Sequence, residues 1–124
     1  MEAKELMQFD WVCLENDQTP RQVDWIRSGE VGLYWNKIVT PPYIKPIPLT
    51  SAILEENEFT LKEEEKGMYG VTIAPYYTRD DVPFEVFCDG EPFSIWFKDP
   101  VNIKYVHQLQ HALRLCGITR EIIL

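Results

Sequence analysis

The chain has 124 residues, of which 45% are hydrophobic and 13% aromatic, a size that suits one folded domain and an apolar content too high for a disordered chain. Twenty Asp and Glu against 12 Lys and Arg give a formal charge of −8, whose average field repels phosphate and argues against nucleic acid or an anionic membrane as a partner. No apolar run approaches the roughly 20 residues that a membrane-spanning helix requires, and MEAKELMQFD at the start lacks the basic and apolar regions of a secretory signal, so a soluble cytoplasmic protein is expected.

Short strands are expected in the first part of the chain, at Phe9 to Leu14, Val23 to Ile26 and Val31 to Trp35, separated by the turn-rich runs 16–20 and Ser28-Gly29. A two-residue loop at Ser28-Gly29 would set Arg27 against Glu30, Ile26 against Val31 and Val23 against Tyr34, so that apolar groups meet across the pair. The four prolines between Pro41 and Pro48 exclude a central strand and predict an extended edge or spacer. Thr50 and Ser51 offer N-caps for a short helix over 50–57, with Ile53 and Leu54 on its apolar face and Asn57 expected to close it in the left-handed conformation.

Three further strands are expected at Met68 to Tyr77, Phe84 to Cys88 and Phe93 to Phe97. A tight turn at Asp89-Gly90 would pair Val86 with Phe93 and Phe84 with Ile95. A last helix is expected to start near Asp99-Pro100 or Asn102, to run over 103–116 and to end at Gly117. Tyr105, Val106, Leu109, Ala112, Leu113 and Cys116 fall on one face of it, within about 120°. Ile118 to Leu124 reads as a final strand. The fold class is therefore α+β: an N-terminal antiparallel sheet able to curl into a small SH3-like barrel, a short helix, a β-hairpin, and a C-terminal helix packed on the sheet. A single domain over 1–124 is expected, with a strand-rich part over 1–48 and a hairpin-and-helix part over 49–124.

Chemistry-bearing patterns are few. Cys13, Cys88 and Cys116 have no CxxC spacing and read as reduced, buried side chains. His107 and His111 stand one helical turn apart, a spacing able to ligate one metal ion, but Gln108 occupies the position where a zincin carries its Glu general base. On the helical wheel the two histidines and Arg114 lie opposite the Val106, Leu109 and Leu113 face, which predicts a solvent-facing, incidental pair with no metal or other cofactor. Glu55, Glu56, Glu58, Glu63, Glu64 and Glu65 form an acidic stretch. It reads as a solvated face, and as a surface for a basic partner if it has one. Tyr76, Tyr77 and Arg79, at a strand end entering a loop, are of the residue types enriched at interface hot spots.

The segments Tyr43 to Phe59 and Tyr105 to Ile118, together with Glu5-Leu6-Met7 and Asp10-Trp11-Val12, resemble a family of short uncharacterised proteins from gut bacteria and their phages or mobile elements. The resemblance covers most of the chain apart from about residues 60 to 100. It implies a small cytoplasmic accessory protein and brings no activity, cofactor or catalytic residue with it. The expected function is a non-enzymatic module that binds a protein partner through Tyr76, Tyr77 and Arg79, with Glu63, Glu64 and Glu65 as a contributing surface. The alternatives are an acidic, nucleic-acid-mimicking inhibitor of a basic partner and a metal-dependent enzyme using His107 and His111.

Overall fold

A computed structural model describes residues 5–27, 30–34, 37–39, 43–62, 65–66, 72–73, 75–88, 93–96 and 100–124. The chain divides into two compact units: residues 1–48 with 105–111 and 124, and residues 49–104 with 112–123. The architecture is α+β.

The first unit is built on an antiparallel sheet of β1 (Trp11–Leu14), β2 (Asp17–Arg27), β3 (Glu30–Leu33), β4 (Lys37–Val39) and β5 (Ile44–Pro46), in the order β4-β3-β2-β1-β5. Among the described residues no pairing joins β4 to β5, so the sheet is open and does not close into the SH3-like barrel that the sequence allowed. Leu6, Val12, Leu14, Val23, Val31, Leu33 and Ile44 make its apolar core. The proline-rich segment lies along the β1 edge as β5, with Pro46 opposite Val12 at a position where a missing N–H costs no central ladder bond.

Two bulges interrupt the ladders of this sheet, and the second changes an expected register. Between Val12↔Arg21 and Leu14↔Asp17 one residue of β1 faces three of β2, so Pro20 sits inside a strand at a point where no ladder donor is needed. The run 16–20 is thus mostly strand, and the turn is only Glu15-Asn16. Ile26↔Val31 and Arg27↔Glu30 pair as the sequence predicts, but Val23 meets Leu33 and not Tyr34, because Asp24 bulges out between Val23 and Trp25. The slip places two buried side chains opposite each other. Ser28 and Gly29, the expected turn, lie outside the described residues. Gly32 stands in the middle of β3 because the Trp25 indole lies across it where a Cβ would be, and Arg27 covers that indole at 5.0 Å.

The second unit carries α1 (Ser51–Glu56) and a sheet of β6 (Thr60–Lys62), β9 (Tyr76–Thr78), β10 (Val86–Phe87), β11 (Phe93–Trp96) and β12 (Pro100–Ile103), in the order β12-β11-β10-β9-β6. A separate antiparallel pair, β7 (Glu65–Lys66) and β8 (Thr72–Ile73), completes the set. Thr50 caps α1 by accepting the Ile53 N–H. Asn57 does not take the left-handed conformation. Its φ is −101°, and Glu58 adopts φ 67° in its place, because the Asn57 amide is used otherwise: Nδ2 donates to Ile53 O and Ile123 O, and Oδ1 accepts from Ile123 N–H.

That clamp holds the C-terminal segment in place of sheet pairing, so the expected strand over 118–124 is absent. In the β10–β11 hairpin Val86 pairs with Ile95 and Phe87 with Ser94, two residues away from the register an Asp89-Gly90 tight turn would set. A shift of two preserves the faces, and Val86 and Ile95 are both buried. Pro100 to Ile103 is strand and not helix, pairing along the whole of β11. The last helix, α2 (Val106–Leu115), therefore begins later than expected, and it ends with Gly117 at φ 77°, the left-handed position that glycine accepts without cost.

Candidate functional site

The site grows from a tight turn ahead of β1. Asp10, fully buried, accepts the Met7 N–H at Oδ2 (2.8 Å) and donates its own N–H to Met7 O (3.1 Å). Backbone bonds from Phe9 N–H to Val23 O and from Val23 N–H to Asp10 O fasten the turn to β2. Closing it places Phe9 at φ 71°. For a bulky residue that conformation is strained by about 1 to 2 kcal/mol and is held only where the surroundings over-determine it.

Those surroundings are side-chain amides. Gln110, on α2 and fully buried, donates from Nε2 to Phe9 O (3.0 Å) and accepts the Trp11 N–H at Oε1 (2.9 Å), bridging the two peptide groups as a neighbouring strand would. Gln22 Nε2 also donates to Phe9 O. His111 Nε2 lies 2.6 Å from Asp10 Oδ2, so the carboxylate that shapes the turn also holds the imidazole. The result is an aromatic ring turned outward: Phe9 is 40% exposed and stacks on Tyr34, itself 37% exposed, with ring centroids 6.3 Å apart and planes 15° from parallel. Met7, two residues away, is 46% exposed.

A cavity of about 530 Å³ opens on the same unit, lined by Glu5, Pro46, Tyr105, His107, Gln108 and His111. The expectation of a solvent-facing histidine pair fails here. His107 is 5% exposed, with its ring parallel to Tyr105 (5.9 Å) and edge-on to His111 (5.5 Å). Burial pushes its pKa down, against the opposing pull of Asp10 and Glu5, and its Nδ1 is buried without a hydrogen-bond partner. His111 is part-exposed and engaged with Asp10. Gln108 is used structurally, its Oε1 accepting the Tyr105 N–H at the start of α2, one half of a capping box. Among the described residues no group of three or more His, Cys, Asp or Glu is placed to hold a metal ion.

Of the residues singled out as an interaction surface, Tyr77 and Arg79 serve the second unit internally. Tyr77 is buried, its ring edge-on to Phe93 and its hydroxyl donating to Glu55; Tyr76 packs on Phe87. Arg79, also buried, lies over the Phe59 ring, makes a two-pronged contact with Asp81 and donates to Asn57 O, which holds the Asp81 carboxyl below its usual pKa. The strand end thus turns Tyr77 and Arg79 inward, because the loop that follows supplies Asp81 as a partner. Glu63 and Glu64 lie outside the described residues. Glu65 begins β7, and Glu58 of the acidic stretch pairs with Arg120.

Sequence reasoning did not single out Phe9, Asp10 or Gln110. One signal was present: Gln110 lies only about 40° from Val106 on the helical wheel, a polar group at the border of the apolar arc. No protein-family model, curated protein or solved structure matches this chain. Among the described residues, no helix is long and apolar enough to cross a membrane.

Proposed function

We propose that the chain is a protein-interaction module whose recognition surface is the Met7, Phe9 and Tyr34 patch. The observation that carries this reading is Phe9 itself: a strained backbone and two amide side chains are spent on a ring that stays 40% exposed. Strain kept for burial would end in a buried side chain. Strain that ends in a stacked, rigid, exposed aromatic pair supports recognition, since aromatic side chains held in one conformation lose little entropy on binding and dominate interface energetics. Relative to the sequence expectation, the module stays and the surface moves from Tyr76, Tyr77 and Arg79 to the turn before β1.

The test is affinity capture from cell lysate with the wild-type chain and with a Phe9→Ala/Tyr34→Ala double variant, together with thermal melts of both. The reading expects a stoichiometric partner on the wild type that is lost on the variant at unchanged melting temperature. Equal retention by both would refute it.

A further inference from the structure

Residues 118–123, which follow the glycine that ends α2, carry neither helix nor strand, yet they are held on the second unit residue by residue. The Arg120 guanidinium pairs with Glu58, Glu121 takes a two-pronged contact from Arg114, and the Ile122 side chain is buried. The Asn57 amide bonds both the N–H and the C=O of Ile123, whose own side chain stays exposed. An amide that meets both main-chain groups of one residue recognises peptide backbone, as a neighbouring strand would.

The receiving side is built from contacts of its own. Asn57 Nδ2 also donates to Ile53 O, the Asn57 N–H is bonded to the last turn of α1, and the buried Arg79 donates to Asn57 O while resting on the Phe59 ring. Glu58 at φ 67° occupies the left-handed position that closes α1, so its carboxylate is presented from a fixed backbone. Glu58 and Arg120 line a cavity of about 440 Å³ together with Arg79 and Asp81, and the segment thereby forms part of one wall. Each tie named here runs through a side chain, the Arg120 and Glu58 pair stands in solvent, and Ile122 is the buried anchor. A segment held in this way opens before the fold that carries it. Gly117, at φ 77° with open space where a Cβ would stand, gives it a hinge.

We propose that residues 118–123 are an internal ligand: a latch seated in a peptide-binding groove of the second unit, which on opening admits a partner's peptide with the same order of a basic residue, an acid and two aliphatic residues. The seated segment defines that order. Glu58 and Asp81 face the basic position, Arg114 faces the acidic one, and the site of Ile122 accepts an aliphatic side chain. The groove stands independently of the Phe9 surface, which lies on the first unit.

Hydrogen exchange of the full chain at increasing urea, below the unfolding transition, reads the latch. The Ile123 N–H is expected to exchange through an opening that urea barely accelerates, and the Leu113 N–H of α2 only through global unfolding. Arg120→Glu sets an acid against Glu58 and is expected to speed Ile123 exchange by about threefold or more while Leu113 keeps its urea dependence. The probe for the groove is the peptide Ile-Thr-Arg-Glu-Ile-Ile, blocked at both ends, labelled with a fluorophore and followed by anisotropy. Because the seated segment competes with it, its affinity is expected to rise from the wild type to Arg120→Glu by the same factor as Ile123 exchange. Alanine at the peptide position that matches Ile122 is expected to weaken binding by at least about tenfold, and alanine at the position that matches Ile123 to leave it unchanged. Ile123 exchange with the urea dependence of Leu113, no saturable binding to a folded Arg120→Glu chain, or equal binding of a scrambled peptide would each overturn the proposal. A wild-type dimer that the peptide dissociates would place a second copy in the groove and overturn the assignment to a partner.

Discussion

Replacing Gln110 by Met tests whether one buried amide holds the Phe9 turn. The substitution nearly conserves volume and removes the hydrogen bonds to Phe9 O at 3.0 Å and from Trp11 N–H at 2.9 Å. Phe9 O keeps the Gln22 amide, whereas the Trp11 N–H loses the acceptor seen here. Two net hydrogen bonds at about 1 kcal/mol each, with a further penalty for a desolvated N–H, give a loss of about 2 to 4 kcal/mol. At about 4 °C per kcal/mol for a chain of this size, the melting temperature should fall by about 8 to 16 °C. Gln108→Met, which removes the capping contact at Tyr105 N–H, is the internal control and should cost about 1 kcal/mol or less. Thermal denaturation followed by near-ultraviolet circular dichroism reads the loss, and amide hydrogen exchange at Trp11 locates it. A Gln110→Met chain that melts within about 2 °C of the wild type would refute the view that this amide over-determines the turn.

Three other outcomes follow from the geometry. Gly32→Ala should cost about 1 to 3 kcal/mol by driving the Trp25 indole off the strand and away from Arg27, which changes tryptophan fluorescence; an unaltered spectrum and melt would mean the indole has room to give. Asn57→Ala removes the two hydrogen bonds that tie the end of α1 to Ile123 and one to Ile53 O, and should cost about 1 to 3 kcal/mol while accelerating amide exchange at Ile123; exchange there as slow as in the wild type would contradict the clamp. Because the pKa of His107 is lower in the folded chain than in the unfolded one, the unfolded state takes up more protons below about pH 6.5, and stability should fall as pH drops through that value. Asp10, His111 and Glu5 all face this ring, so the assay compares urea melts at several pH values for the wild type and His107→Asn; identical pH slopes for the two would exclude His107 as the source.

Local chemistry made much of the fold legible. Proline spacing marked β5 as an edge, Thr50 marked the start of α1, Gly117 marked the left-handed end of α2, and alternation around Val86 and Ile95 assigned the buried face of the hairpin even though its register was off by two. What failed depends on partners distant in sequence. Pro100 to Ile103 has helix-start chemistry but lies where β11 needs an edge partner, and tertiary pairing prevailed. Asp24 and Pro20 bulge because burial of Val23 and Val12 outweighs a regular ladder, which no two-residue turn signal encodes. The site was less legible than the fold, since its decisive contacts join Phe9, Asp10 and Trp11 to residues about a hundred positions later. A histidine pair catches the eye in a sequence, whereas a glutamine that imitates a strand looks like any polar residue on a helix.

The Phe9 and Tyr34 surface is proposed to meet a protein partner. It is tested most directly by placing a photo-reactive phenylalanine analogue at position 34 and, in a separate chain, at position 115, where Leu115 is 79% exposed on the other unit. Irradiation in lysate is predicted to yield one discrete cross-linked adduct from position 34, abolished by Phe9→Ala, and no such adduct from position 115. An adduct from position 115 alone, or one from position 34 that persists in Phe9→Ala, would contradict the account.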